Sequence, residues 1–145
     1  MLNRMDHVGV IVTDLALATA FFEELGFELE GKGTVADPEA DRITGLRQAR
    51  SDVAMMRVPG HPDGGLELIQ YHTPTSEKGD SYAPPSTLGL RHMAFEVDDL
   101  KDTVERLRKH GSELVGEIVN YADSYWLCYL RGPEGIIVEL VEKIP

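Results

Sequence analysis

The fold is decided by a stretch that occurs twice, as DHVGVIVTDLALATAFFEELGFELEG at residues 6–31 and as RHMAFEVDDLKDTVERLRKHGSELVG at residues 91–116. Between the copies, 92 − 7 = 85 residues apart, eight positions are identical. The identical pairs are His7 and His92, Val12 and Val97, Asp14 and Asp99, Leu15 and Leu100, Gly26 and Gly111, Glu28 and Glu113, Leu29 and Leu114, and Gly31 and Gly116. Chance rarely gives so many identities in a short window, so we expect two copies of one structural module.

Each copy begins with a short β-branched strand that runs directly into an amphipathic helix. In the first copy, Leu15, Ala18, Phe22 and Leu25 recur at helical spacing. Asp14 can cap the start of this helix, and Gly26 follows its end. The strands are predicted at 5–12, 27–31, 52–58 and 66–71, and then at 90–97, 113–119, 124–130 and 136–143, with the second helix at 99–111. The pattern predicts an α+β fold of two tandem βαβββ modules.

The module boundaries follow from a second match, between Leu66-Glu67-Leu68 and Val138-Glu139-Leu140 at an offset of 139 − 67 = 72. The first module is therefore 85 − 72 = 13 residues longer, and we place the excess in a polar loop at 32–50. Long loops on compact domains often line functional sites. The Pro-, Ser- and Thr-rich segment 72–89 is interpreted as a linker. We expect one domain over residues 1–145, with modules at 1–71 and 90–145.

The composition excludes several classes of partner. The chain has 145 residues and a net charge of −11, and no window concentrates Lys and Arg. Binding of nucleic acid or of an anionic membrane is therefore not expected. Cys128 is the single cysteine, so no intramolecular disulfide is possible, and the beginning MLNRMDHVGV lacks a long apolar stretch. We expect a cytoplasmic protein.

Strand alternation separates core residues from candidate functional residues. In the first strand, Val8, Val10 and Val12 share the face that must be buried, which leaves His7 on the other face. The same parity puts His92 and Glu96 opposite an apolar face in the strand at 90–97. In the last strand of each module, Glu67 and Glu139 lie opposite apolar neighbours. Each module thus offers one His and one Glu outside the core.

These four residues form a candidate metal site if the modules pack with pseudo-twofold symmetry. The set His7, Glu67, His92 and Glu139 combines two imidazoles with two carboxylates, which suits a divalent transition metal such as Ni, Zn, Co, Mn or Fe. Coordination positions left to water would make such a site catalytic.

The motifs resemble those of a known superfamily. They are the His-Val-x-Val strand, the Asp-Leu helix start, the Leu-Gly-Phe helix end and the Gly-Pro-Glu-Gly turn before Val-Glu-Leu. With the doubled βαβββ plan, they look like the vicinal-oxygen-chelate superfamily of glyoxalase I, methylmalonyl-CoA epimerase, extradiol dioxygenases and fosfomycin- or bleomycin-resistance proteins. The resemblance spans nearly the whole chain. It implies that the four residues are the metal-ligand positions and that the sheet is cup-shaped.

Three branches of the superfamily differ in ligand count. The dioxygenase and fosfomycin-resistance branches resemble a site of two His and one carboxylate, which a fourth ligand at Glu67 argues against. Bleomycin-binding members lack a metal site. We therefore expect a glyoxalase-like lyase or isomerase that moves a proton α to a carbonyl through an enediolate, with Glu139 as the base and Glu67 for the opposite face. A small-molecule binding protein and a ring-cleaving dioxygenase remain the alternatives.

Further residues are candidates for substrate binding. In the 32–50 loop, Arg42, Arg47 and Arg50 could bind a carboxylate or phosphate, and Arg47 is the one we select. Tyr71, Glu96 and Trp126 complete the predicted substrate-binding set. Glu96 is also a candidate to hydrogen-bond a metal ligand without binding the metal itself. Unpaired strand edges and an apolar flank predict a homodimer.

Overall fold

The computed structural model describes residues 1–145, which divide into two compact units, Met1–Lys78 and Gly79–Pro145. Each unit holds a four-stranded mixed sheet with an α-helix packed on one face. The elements in chain order are β1 (His7–Ile11), α1 (Leu15–Leu25), β2 (Glu28–Val35), α2 (Pro38–Thr44), β3 (Arg50–Val58), β4 (His61–Thr73), β5 (His92–Glu96), α3 (Leu100–Arg108), β6 (Val119–Tyr121), β7 (Tyr125–Arg131) and β8 (Ile137–Lys143). The predicted α+β class with two tandem βαβββ modules is confirmed.

The two sheets have the same topology. The first runs in the order β1-β4-β3-β2 and the second in the order β5-β8-β7-β6. In both, the first strand pairs in parallel with the last strand of its unit, and the other neighbours are antiparallel. The strand that carries the predicted His therefore lies beside the strand that carries the predicted Glu.

The helices begin as the sequence predicts. The Asp14 carboxylate accepts a hydrogen bond from the backbone N–H of Leu17 at the start of α1. At the start of α3, the Asp99 carboxylate accepts one from the backbone N–H of Asp102. Gly26 follows α1 with a φ of 126°, a conformation that favours glycine. No helix in the structure has both the length and the apolar character needed to cross a bilayer.

The core of each unit lies between its helix and one face of its sheet. In the first unit, Val10, Met56, Leu66 and Leu68 are buried on the face that packs against α1. In the second, the buried residues on the helix face of the sheet are Cys128, Leu130, Val138 and Leu140, and α3 contributes Leu100, Val104 and Leu107. We call the other face of each sheet, opposite the helix, its open face.

Three predicted segments differ from the structure. The 32–50 region is not a plain loop, because β2 continues to Val35 and α2 follows at Pro38–Thr44. β4 begins at His61 rather than 66, since His61 pairs with Val58 of β3, and Gly64 and Gly65 donate backbone hydrogen bonds to Met5 and Asp6 ahead of β1. The sequence predicts a strand at 113–119, but in the structure only Leu114 of this segment forms an isolated bridge, with Leu130, and β6 begins only at Val119.

Candidate functional site

The first unit brings His7 and Glu67 together on its open face. His7 lies in β1 and Glu67 in the adjacent strand β4, where Glu67 is the register partner of Gly9. Nε2 of His7 is 3.0 Å from Oε2 of Glu67. Because Gly9 has no side chain and nothing lies within 4 Å of the place a Cβ would occupy, the space beside Glu67 is clear.

The second unit repeats the pair with the same atoms. Nε2 of His92 lies 3.3 Å from Oε2 of Glu139. The Glu139 side chain is 18% exposed, the lowest value among the four residues of the two pairs. Tyr129 is the register partner of Glu139, and its ring lies against that of His92, tilted by 36° with the centroids 5.0 Å apart, so it forms a wall of this pair.

The first pair has a supporting carboxylate that the second lacks. Oδ1 of Asp6 lies 2.7 Å from Nδ1 of His7, so the imidazole is held between two carboxylates. The hydrogen bond to His7 lowers the pKa of Asp6, and the positive charge of Arg4 acts in the same direction. Arg91 stands at the equivalent position before His92. The two units thus differ in the residue that precedes the histidine, which is an acid in the first unit and a base in the second.

The donor chemistry of the pairs fits a divalent metal. Imidazole nitrogen and carboxylate oxygen ligands lie about 2.0–2.2 Å from a transition metal, so two ligands at a right angle are roughly 3 Å apart. The His–Glu separations of 3.0 Å and 3.3 Å match that spacing. No group of three or more His, Cys, Asp or Glu side chains in the structure is arranged to hold a metal ion. Each unit by itself therefore supplies two ligands.

The predicted substrate-binding residues are placed differently from one another. Tyr71 lies on the open face of the first sheet, as the register partner of Ser51. Glu96 shares the open face of the second sheet with His92, but its carboxylate is 3.0 Å from Nζ of Lys143. Arg47 is exposed in the bend between α2 and β3, with no described contact.

The expectation for Trp126 needs correction. The residue lies on the helix face of the second sheet, where Nζ of Lys101 in α3 is 5.1 Å from the ring centroid. It is therefore on the opposite face from His92 and Glu139. Trp126 shares strand parity with the buried residues Cys128 and Leu130, and that signal was present in the sequence.

Sequence reasoning also missed a matched pair of arginines. Met55 in β3 is the register partner of Glu67, and Tyr129 in β7 is the register partner of Glu139. Two residues after each of these partners comes an arginine, Arg57 in β3 and Arg131 in β7. Their equivalence depends on strand register across a bulge, which the sequence offsets do not reveal.

Comparison with known proteins identifies the family. A sequence model of the Glyoxalase/Bleomycin resistance protein/Dioxygenase superfamily matches residues 4–140. The chain belongs to this superfamily. A solved glyoxalase family protein from Bacillus cereus is 43% identical, with a TM-score of 0.95 over 100% of this chain and 97% of the other. As a superfamily member, the chain carries its His–Glu pairs on corresponding strands of its two units.

More distant relatives cover nearly the whole chain. Bacillus subtilis YwbC is 27% identical over 99% of this chain and 100% of its own length. Escherichia coli YaeR is also 27% identical, over 98% of both chains. The trypanothione-dependent glyoxalase I of Leishmania major has a TM-score of 0.67 at 24% identity, and the match covers 97% of the present chain and 87% of the Leishmania chain. That last likeness concerns the fold alone.

Proposed function

We propose that the protein is a divalent-metal-dependent lyase or isomerase of the glyoxalase type, which moves a proton α to a carbonyl group. One observation carries the proposal. The same atoms, Nε2 of a histidine and Oε2 of a glutamate, meet at 3.0 Å and 3.3 Å on corresponding strands of both units. Both pairs lie on the open faces, away from the helices, and imidazole together with carboxylate is a donor set that binds divalent transition metals.

The metal ligands in this proposal are His7, Glu67, His92 and Glu139. A bound divalent ion would supply positive charge for an oxygen of the substrate, which makes the neighbouring carbon-bound proton more acidic. Elemental analysis of the purified protein tests the ligand set. One ion per chain is expected if all four residues bind one ion, and His7→Ala or His92→Ala should each cause strong loss.

Glu139 is the proposed base. Its carboxylate is the least exposed of the four side chains and lies beside Tyr129, which restricts the directions in which it can move. It would take the proton from the substrate carbon and return it to a neighbouring atom. Glu67, its counterpart in the first unit, would take a proton from the opposite face. We further propose that Tyr71 and Glu96 contact the substrate from the two open faces and that Arg47 approaches from the loop.

Proton exchange with deuterated solvent tests the chemistry. NMR over a panel of hemithioacetals, acyl-CoA esters and hydroxyketones should reveal a compound whose α-proton exchanges. Glu139→Gln keeps an oxygen ligand and removes the base, so metal should be retained while exchange falls about 10²–10⁴-fold. Glu117→Gln, an exposed change of the same kind in the same unit, is the control and should exchange like the wild type.

Other outcomes point to other functions. Oxygen consumption with a catechol, and no exchange, would favour a ring-cleaving dioxygenase. Tight binding of an apolar compound by metal-free protein, again without exchange, would favour a binding protein of the bleomycin-resistance type. If Glu139→Gln exchanges as fast as the wild type, Glu139 is not the base.

We also propose a cytoplasmic homodimer that takes a small molecule as substrate. Each sheet has two edge strands, and the antiparallel edges, β2 and β6, are exposed along almost their whole length. Unpaired edges of this kind invite pairing with a second chain. Light scattering should give about twice the chain mass of 16.1 kDa at micromolar concentration. A value near 16.1 kDa would contradict the dimer.

A further inference from the structure

We propose that the unit Gly79–Pro145 contains a site for an anionic group of the substrate, a carboxylate or a phosphate, held by Arg91 and Arg131. The inference rests on the proposed function for its meaning, because it names a substrate class for the same open face. It does not depend on the metal.

The site is a cavity of about 410 Å³ within the second unit. Its lining includes Asp80, Thr87, Leu90, Arg91, Arg131 and Glu134. The segment that closes it is firmly placed, since Ala83 is 5% exposed. The backbone of Ser81 also packs against Gly135, which lines the cavity too. The walls therefore come from the segment before β5 and the turn between β7 and β8.

Both guanidinium groups have spare hydrogen-bonding capacity. Nη1 of Arg131 donates to the carbonyl oxygen of Gly135 at 3.0 Å, and Nε of Arg91 donates to the carbonyl oxygen of Leu90 at 3.0 Å. Neither arginine makes an ion pair, although both side chains are half-buried. A guanidinium has five N–H donors in a planar fork that matches carboxylate and phosphate oxygens.

The counterpart arginine in the first unit is used differently. Nε of Arg57 is 2.6 Å from Oε2 of Glu30, and its Nη1 donates to the carbonyl oxygens of Asp6 and Pro62. Arg57 is therefore a structural residue that holds strands together. The corresponding position in the second unit, Arg131, lacks the carboxylate partner and faces a cavity instead. In a chain with a net charge of −11, two half-buried arginines without acidic partners point to an external anion.

Two acidic residues refine the ligand class. Asp80 lines the cavity, and its Oδ1 accepts the backbone N–H of Tyr82 at 2.9 Å. Glu134 lies on the turn with a φ of 58°. These carboxylates would repel a ligand of high negative charge. They favour a single anionic group with a hydroxyl or ammonium donor close to it.

The position of Arg131 relates this site to the proposed chemistry. His92 and Arg131 are both register partners of Ile137, so the three residues form one row across β5, β8 and β7. Two strand spacings put the His92 and Arg131 backbones about 10 Å apart. Side chains that extend from both ends of such a row can hold a small substrate by its carbonyl region and by its anionic group.

Calorimetric titration of chelator-treated protein with inorganic phosphate, and separately with lactate, which has one carboxylate beside a hydroxyl, tests the site at about 0.15 M ionic strength. Saturable binding of at least one probe is expected, and the tighter probe indicates whether phosphate or carboxylate is the natural group. Arg131→Gln and Arg91→Gln should each weaken that binding by about tenfold or more, because each removes charge-assisted hydrogen bonds. Arg131→Lys should restore part of it. Arg108→Gln is the matched control, since Arg108 is exposed on α3 and pairs with Glu105.

Each result decides the question. Equal weakening by Arg108→Gln would mean that the anion senses net charge only, and the site would be rejected. Weakening by Arg47→Gln in place of the two cavity arginines would move the anion to the loop of the first unit. Binding that appears only after metal is added would also overturn the inference. If the wild-type protein shows no metal-dependent proton exchange but the chelator-treated protein still binds phosphate, the proposed function is refuted and the anion site is supported.

Discussion

Asp6 and His7 are adjacent residues whose side chains are directly hydrogen-bonded, with Oδ1 of Asp6 2.7 Å from Nδ1 of His7. When the ring proton is on Nδ1, the lone pair of Nε2 is directed toward Glu67. Arg4 holds Asp6 in place through an ion pair of 2.8 Å, and Arg57 donates to the Asp6 backbone. The histidine is thus oriented before any ligand binds.

Asp6→Asn should lower metal affinity about 10–100-fold, the usual effect of losing a carboxylate that supports a ligating histidine. Competition with a chromophoric chelator measures this on metal-loaded protein. Asp63→Asn is the matched control, because Asp63 is also exposed and also pairs with Arg4, at 3.3 Å, but does not contact His7. Similar affinities for Asp6→Asn and Asp63→Asn would show that His7 needs no such support.

Glu142 connects β8 to the start of α3. Its Oε2 accepts the backbone N–H of Leu100 at 2.7 Å, and Gln70 does the same for Leu15 in the first unit, at 2.9 Å. Glu142→Ala leaves that N–H without its acceptor at the positive end of a helix, so we expect a loss of about 1 kcal/mol in the free energy of unfolding. Glu142→Gln copies the first unit and should lose less. Urea denaturation compares the variants, and equal losses would contradict the proposed role of the side-chain acceptor.

Much of the fold could be predicted because the same strand–helix sequence pattern occurs twice in the chain. Asp14, Gly26 and the alternation around His7 mark the first helix and the buried face of its strand, and the second copy repeats these signals. Strand parity depends only on counting, so the open-face positions of both His–Glu pairs followed from the sequence. The structure adds their pairing within each unit, because the first and last strands of each unit are parallel neighbours.

The rest could not be predicted for physical reasons. α2 buries no residue, so it has no apolar stripe, although Asp37, Pro38 and Gly45 mark its two ends. The early start of β4 depends on backbone hydrogen bonds, which polar residues make as readily as apolar ones. The equivalence of Arg57 and Arg131 required the observed register. Arg131 therefore received no role from the sequence, whereas the exposed Arg47 did.

Cys128 is expected to be an inert thiol. It is 3% exposed, and burial raises its pKa to about 11. Little thiolate exists at pH 8.5, so Ellman's reagent should react only after the protein is unfolded in urea. Rapid reaction of the folded protein would contradict this burial.

The same pKa shift makes a prediction about stability. The thiol of Cys128 has its ordinary pKa of 9.0 in the unfolded chain and a pKa of about 11 in the folded protein, so between these values the unfolded state releases the proton first. The free energy of unfolding should therefore fall as the pH rises from about 9 to 11. Cys128→Ala should remove this part of the slope. Because other groups also titrate there, the difference between variant and wild type is the quantity to measure, and parallel slopes would contradict the prediction.

Gly135 is expected to be irreplaceable where it contacts the segment before β5. Its φ is +73°, and a Cβ would lie 2.7 Å from Cα of Ser81 and closer still to the Ser81 carbonyl oxygen. Gly135→Ala must therefore bear the left-handed strain, about 1–2 kcal/mol, and also displace the backbone that closes the arginine-lined cavity. Gly45→Ala is the control, because Gly45 has a φ of +75° and nothing within 4 Å of its Cβ position. Thermal unfolding should show the larger loss for Gly135→Ala, and only that variant should weaken phosphate binding in the chelated protein. Equal melting temperatures for the two variants would mean that Ser81 moves aside freely and that the cavity wall is not fixed by this contact.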